Sequence, residues 1–184
     1  MYNIAAQTHI QKRRKMKDIT AIYAGSFDPP TNGHLWMIRE GAKMFKNLIV
    51  SIGTNPNKHC VFTVNERVEM LYKSISSELH NVSINSFNNL YLVDFAKSVD
   101  AHVIIRGVRS QEDYGKERDM RNINFKINPN ISTVFFFPPP DLAEVSSSMV
   151  KGLIGPKGWE KVVSQFVSDP VLEKLKALHY ANTQ

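Results

Sequence analysis

Five short runs of branched and aromatic residues, Ile19 to Tyr23, Leu48 to Ile52, Val82 to Phe87, Val103 to Ile105 and Val134 to Phe137, are separated by longer amphipathic stretches. A buried strand reads as a short continuous apolar run, whereas a helix with one buried face repeats every three to four residues. Leu35, Ile38, Ala42 and Phe45 recur in the second way, as do Val68, Leu71, Ser74 and Ile75 behind the capping-box pattern Thr63-Val64-Asn65-Glu66. Strands alternating with helices imply βαβ units and a mostly parallel sheet. The expected fold is a doubly wound, Rossmann-like α/β domain with about five parallel strands, followed by C-terminal helices from Gly155 to near His179.

The 184 residues suffice for one core without disulfides, and no internal repeat or linker divides them. Residues 1–18 read as a basic N-terminal extension and residues 19–184 as one domain. The cluster Lys12-Arg13-Arg14-Lys15-Met16-Lys17 accounts for much of the net charge of +6, which admits nucleotide, nucleic acid or a lipid surface as partner. A terminal cluster without interleaved aromatics reads as a solvated tail before it reads as a nucleic-acid arm. No apolar run has the length of a membrane span and no secretory signal is visible, so the expected location is the cytoplasm. With the single cysteine Cys60, and with His59, His80 and His102 at no metal-ligand spacing, no protein metal site is expected. Trp36 and Trp159 are expected to pack rather than stack on a ligand.

Ligands of open parallel sheets bind at the carboxyl ends of the strands, and four strand ends here carry conspicuous chemistry. After the first run comes Gly25-Ser26-Phe27-Asp28-Pro29-Pro30-Thr31-Asn32-Gly33-His34. Glycine permits close backbone approach, prolines stiffen the turn, Asn32 is placed to cap the next helix, and His34 adds a donor to that helix's free N–H groups. The segment is neither the Gly-rich dinucleotide fingerprint nor the Walker lysine loop. Asn55-Pro56-Asn57-Lys58 follows the second run, and Ile105-Arg106-Gly107-Val108-Arg109 ends the fourth, aiming two guanidinium groups at one anionic site. After Pro138-Pro139-Pro140 comes Val145-Ser146-Ser147-Ser148-Met149-Val150, where serines can cap a helix and still offer donors to phosphates.

The Gly25 to His34 string resembles the Thr/His-x-Gly-His region of the nucleotidyltransferase superfamily. The motifs taken in order resemble, more narrowly, the bacterial phosphopantetheine adenylyltransferases, from about Thr20 to about Lys151. Asp113-Tyr114-Gly115-Lys116-Glu117 and the later Asn124 extend the likeness. That family transfers AMP from ATP to 4′-phosphopantetheine, giving dephospho-coenzyme A and pyrophosphate. The resemblance implies catalytic roles for His34, Lys58 and Arg106, with His34 donating to the α-phosphate and Ser26 aligning the two substrates. It places Lys58, Leu92 and Arg106, with Ser26, on the acceptor side. It assigns Ser26, Phe27, His34, Gly107, Val108, Arg109 and Glu117 to ATP, joined by the loop Leu142, Ala143, Glu144 and Val145 and by Ser146, Ser147 and Ser148. It further implies Mg2+ accompanying ATP and a homohexamer.

Three positions depart from the family pattern: Ser26 stands for the usual Thr, Gly115 for a commoner acidic residue, and Arg121 for a small apolar one. The last two weaken the implied oligomeric arrangement most. Enzymes of the same superfamily that act on nicotinate or nicotinamide mononucleotide, or that make a CDP-alcohol, remain the alternative. A non-catalytic nucleotide or nucleic-acid binder is a further one.

Overall fold

β1 (Thr20–Gly25) is the middle strand of a five-stranded, wholly parallel sheet in the order β3-β2-β1-β4-β5, in a computed structural model that describes residues 18–54, 59–75, 77 and 79–181. The other strands are β2 (Asn47–Gly53), β3 (Val82–Phe87), β4 (Val103–Gly107) and β5 (Ser132–Phe136). Their connections carry α1 (Asn32–Met44), α2 (Val64–Ser74), α3 (Leu92–Ser98) and α4 (Gln111–Ile127). Four C-terminal helices follow: α5 (Pro140–Ala143), α6 (Ser147–Gly152), α7 (Trp159–Val163) and α8 (Asp169–Ala181). The expected doubly wound fold is therefore present, with each strand within a few residues of its apolar run. Lys58 and the basic cluster Lys12 to Lys17 lie outside the described residues.

Alternation along the central strands sorts side chains into two layers. Ala21, Tyr23, Leu48, Val50, Ile52, Val103 and Ile105 join Leu35, Ile38 and Leu71 on the α1 and α2 side. Ile22, Ile49 and Ile104 face Val93, Phe95 and Ala96 of α3 on the other. The edge strands differ from the fully buried runs expected for them: β3 alternates half-buried with exposed residues, and in β5 only Phe136 is buried. An edge strand has one neighbour and less cover, so branched residues there mark a strand without marking burial.

A third cluster builds the C-terminal part around Trp159, Val163, Val167, Val171, Leu172 and Leu175, which pack on Phe62 and Met70. The Gly155-to-Trp159 stretch turns the chain into this cluster: Gly155 and Gly158 have φ of 127° and 81°, where a Cβ is disfavoured. Trp159 is buried and Trp36 packs against the main core, so both serve packing.

Candidate active site

The sheet order places a topological switch between β1 and β4, because the chain builds outward through β2 and β3 before crossing to β4 and β5. At such a point the loops leaving two adjacent strands part and open a crevice at their carboxyl ends. A cavity of about 330 Å³ lies there, lined by Gly25, Ser26, Gly33 and His34 from the β1 side and by Arg106, Gly107, Arg109, Asp113 and Glu117 from the β4 side. Pro138, Leu142, Val145 and Ser146 to Ser148 close its third side.

The helix α1 is capped by Thr31 and not, as its sequence led us to expect, by Asn32. The Thr31 hydroxyl oxygen accepts the His34 N–H at 3.4 Å, and the Thr31 backbone N–H donates to His34 Nδ1 at 3.0 Å. This is a capping box in which a neutral imidazole replaces the usual carboxylate as acceptor. Asn32 instead ties α1 to the segment before α8, its N–H donating to the Phe166 carbonyl at 2.8 Å and its amide to that of Gln165 at 3.1 Å.

The cap sets the protonation of His34. Burial, reinforced by the positive charge of Arg109, pushes the imidazole down to about 4, so the ring is neutral near pH 7. With Nδ1 accepting from Thr31, the one ring proton sits on Nε2 and is available as a donor. Phe27 and Tyr23 brace this ring: Phe27 is edge-on to it at 5.1 Å, and Tyr23 packs edge-on to Phe27 at 5.4 Å. Phe27 holds φ of 49°, a left-handed conformation that costs a non-glycine residue about 1–3 kcal/mol and is retained here by complete burial in the core. A Cβ on Gly25 would lie 3.2 Å from the Phe27 ring, so the glycine permits the chain to double back under itself.

On the opposite wall, Arg106 and Glu117 form a bidentate pair, Nε to Oε2 at 2.6 Å and Nη2 to Oε1 at 2.5 Å, while Nη1 donates to the Ala24 carbonyl at 2.9 Å. Although burial opposes the charge, Glu117 outweighs it and raises the affinity of Arg106 for its proton. The two residues assigned by resemblance to different substrates are thus direct partners, and the Ala24 bond locks the fork to β1. Arg109 pairs with Asp113 at 2.9 Å at the solvent edge. Tyr23 also lines the cavity, its phenol driven upward in pKa by burial and therefore neutral.

The three serines divide their work. Ser146 caps α6 by accepting the Met149 N–H at 3.1 Å, and the Ser147 hydroxyl donates to the Pro29 carbonyl at 2.8 Å. Ser148 is exposed and lines the cavity, leaving its hydroxyl for a ligand.

Of the residues singled out in the sequence, the cavity gathers Ser26, His34, Arg106, Gly107, Arg109, Glu117, Leu142, Val145 and Ser146 to Ser148. Phe27 and Val108, expected on the ATP side, are buried and do not line it, and Leu92 packs against the α3-side core. Ala143, which with Leu142 falls in the short helix α5 and not in the loop expected there, and the following Glu144 do not line the cavity. Thr31 and Tyr23 were not singled out; the pattern Thr-x-x-His ahead of a helical run was the available signal for Thr31. Among the described residues, no group of three or more His, Cys, Asp or Glu side chains is placed to hold a metal, and no helix is long and apolar enough to cross a membrane.

A crevice of about 330 Å³ between a helix N-terminus, a neutral histidine and two arginines suits a phosphate-bearing ligand. The chain belongs to the cytidylyltransferase-like family, whose model matches residues 22–153. Within it the chain belongs with the phosphopantetheine adenylyltransferases. The protein of that name from Chromobacterium violaceum is 52% identical over 159 residues, covering 86% of this chain and 96% of its own. That from Neisseria meningitidis serogroup B is 54% identical over 159 residues, covering 86% and 93%. Among solved structures, the nicotinic acid mononucleotide adenylyltransferase of Plasmodium falciparum in complex with NaAD superposes with a TM-score of 0.69 at 14% identity. It covers 91% of this chain and 98% of that one, a likeness of fold.

Proposed function

We propose that this protein transfers AMP from ATP to 4′-phosphopantetheine, releasing pyrophosphate and forming dephospho-coenzyme A. The observation that carries the chemistry is the tautomer of His34: Thr31 occupies Nδ1, so Nε2–H is the donor left for a phosphate at the cavity floor. An acceptor phosphate dianion attacks the α-phosphorus in line with the departing pyrophosphate, and the dianion is nucleophilic at neutral pH without a general base. Positioning and charge stabilisation then carry the catalysis. His34 meets the α-phosphate, where negative charge grows. Arg109 and the Ser146 to Ser148 turn take the polyphosphate, Glu117 holds Arg106 toward the acceptor phosphate, Ser26 aligns the two substrates, and Lys58 adds a further acceptor contact. Leu92 borders the acceptor, and Gly107, Leu142 and Val145 enclose the nucleotide, with the buried Phe27 and Val108 as packing support.

Mg2+ enters with ATP. The cavity carboxylates Asp113 and Glu117 are both engaged by arginines, which fits an ion held by phosphate oxygens and water with few protein ligands. A homo-oligomer, a hexamer by resemblance, is the expected assembly. Supporting it, α4 buries only Asn124 and leaves Tyr114, Met120, Ile123, Phe125 and Ile127 exposed. A single helix rarely shows water that much apolar surface unless another chain covers it.

Pyrophosphate release from ATP and 4′-phosphopantetheine tests the reaction. Turnover is expected with that pair alone. No turnover there, but turnover with nicotinamide mononucleotide or with CTP and a phosphorylated alcohol, would overturn the assignment.

A further inference from the structure

Asp28 sits in the middle of the segment between β1 and α1, yet it does not line the cavity and is only 3% exposed. A buried carboxylate needs several donors to offset its lost hydration, and Asp28 has three. Its Oδ1 accepts the Phe62 N–H at 2.9 Å, and its Oδ2 accepts the Val61 N–H at 3.0 Å and the Lys151 ammonium at 3.0 Å. Val61 and Phe62 belong to the connection between β2 and α2, and Lys151 to α6. One side chain therefore joins the His34 segment to two others that are remote in sequence.

Three further bonds run alongside. Arg67, also 3% exposed, donates from Nη1 to the Ser26 carbonyl at 2.8 Å and from Nε to the Thr63 carbonyl at 3.3 Å. The Ser147 hydroxyl reaches the Pro29 carbonyl at 2.8 Å. Every bond in this set ends on the segment that carries His34 or on its immediate supports, and two of them hold α6, whose first turn faces the cavity.

We propose that Asp28, acting through Lys151, is a positioning residue for nucleotidyl transfer: it fixes the serine turn of α6 at a set distance from His34 without touching either substrate. The proposal rests on the transfer reaction above. A carboxylate suits this role because it accepts from every side, whereas an amide of the same size would turn an N–H toward Lys151 or Val61. Misplacing a phosphate-binding turn by about an ångström is enough to cost a large factor in rate while leaving most binding contacts in place.

The test compares the whole protein with its Asp28→Asn, Lys151→Met and Lys151→Arg variants, measuring kcat, ATP Kd and Tm. Asp28→Asn is expected to lower kcat by about 10- to 100-fold with ATP Kd changed by no more than about 3-fold. Lys151→Met should lose less, because the two backbone donors remain, and Lys151→Arg should recover most of that loss. Wild-type kcat in Asp28→Asn at a temperature where it is folded, or equal losses in kcat and ATP affinity, overturns the positioning role. If Asp28→Asn does not fold, the Lys151 pair decides: Met and Arg variants equally impaired, or equally unaffected, also overturns it. An inactive wild type would remove the reaction and this role together, whereas an active wild type with an indifferent Asp28→Asn removes this role alone.

Discussion

The two walls of the cavity are built on opposite principles. The α1 wall rests on the core: Leu35, Met37 and Ile38 are buried beneath it, Thr31 is 1% exposed, and the His34 ring is held by a reciprocal cap and by Phe27. The α4 wall has almost no core of its own: two arginine–carboxylate pairs hold its cavity face, while Met120, Ile123, Phe125 and Ile127 along the helix are exposed. A wall fixed by burial can present one donor in one tautomer, which is what a developing negative charge requires. A wall fixed by ion pairs can exchange a carboxylate for a phosphate when substrate arrives. The difference suits the first wall to the proposed transfer chemistry and the second to the proposed substrate capture.

That contrast breaks first at His34. His34→Ala should lower kcat by about 10²-fold or more while ATP still binds, since the Nε2–H contact strengthens only as charge builds. Equal losses in affinity and rate would make it an ordinary binding residue. On the α4 wall, Glu117→Gln removes one charge-assisted partner of Arg106. We expect a roughly 10-fold rise in the acceptor KM with kcat less affected, the size of one such bond; an unchanged KM would show that Arg106 keeps its place without Glu117. Ile123→Asp on the exposed face of α4 should dissociate the oligomer in sedimentation velocity, with kcat falling by only a few fold. A wild-type protein that sediments as a monomer refutes that assembly.

The smallest effect is on stability. His34 titrates at about 4 when folded and near its ordinary 6.5 when unfolded, so between those values the unfolded chain binds a proton that the folded chain refuses. Its contribution is present above about 6.5 and is lost as pH falls toward 4. Tm of the wild type should therefore drop by a few degrees more than that of His34→Asn over that interval. Parallel curves would mean that the ring is not buried as a neutral group.

The strands and most helices were legible in the sequence because branched residues and helical recurrence are local signals, visible at Ile22, Ile49 and Ile104 without knowing their neighbours. So were the strand-end motifs, since Gly25, Arg106 and Ser146 each announce a backbone or charge requirement. Partnership was not legible. Thr31 was passed over for Asn32 because a histidine in the place of a glutamate hides a capping box. The pairing of Arg106 with Glu117 depends on how β4 and α4 face one another, which neither segment encodes alone. Asp28 was the least legible: two of its partners are backbone N–H groups, and no residue type advertises those. Arg67 did leave a trace, as a charge beside Val68 and Leu71 on the buried face of α2.

The bond between Asp28 and Lys151 spans 123 residues, that between Ser147 and Pro29 spans 118, and that between Asn32 and Gln165 spans 133. A chain emerging from the ribosome thus has the Gly25-to-His34 segment long before, and all five strands shortly before, the pieces that close over that segment. Until Lys151 and Gln165 have been added, the Asp28 carboxylate lacks its ammonium partner and the α1 N-terminus is uncovered. Maturation of the active site is for this reason a late event in the life of the nascent chain, and a protein cut short after β5 would have a sheet but no enzyme.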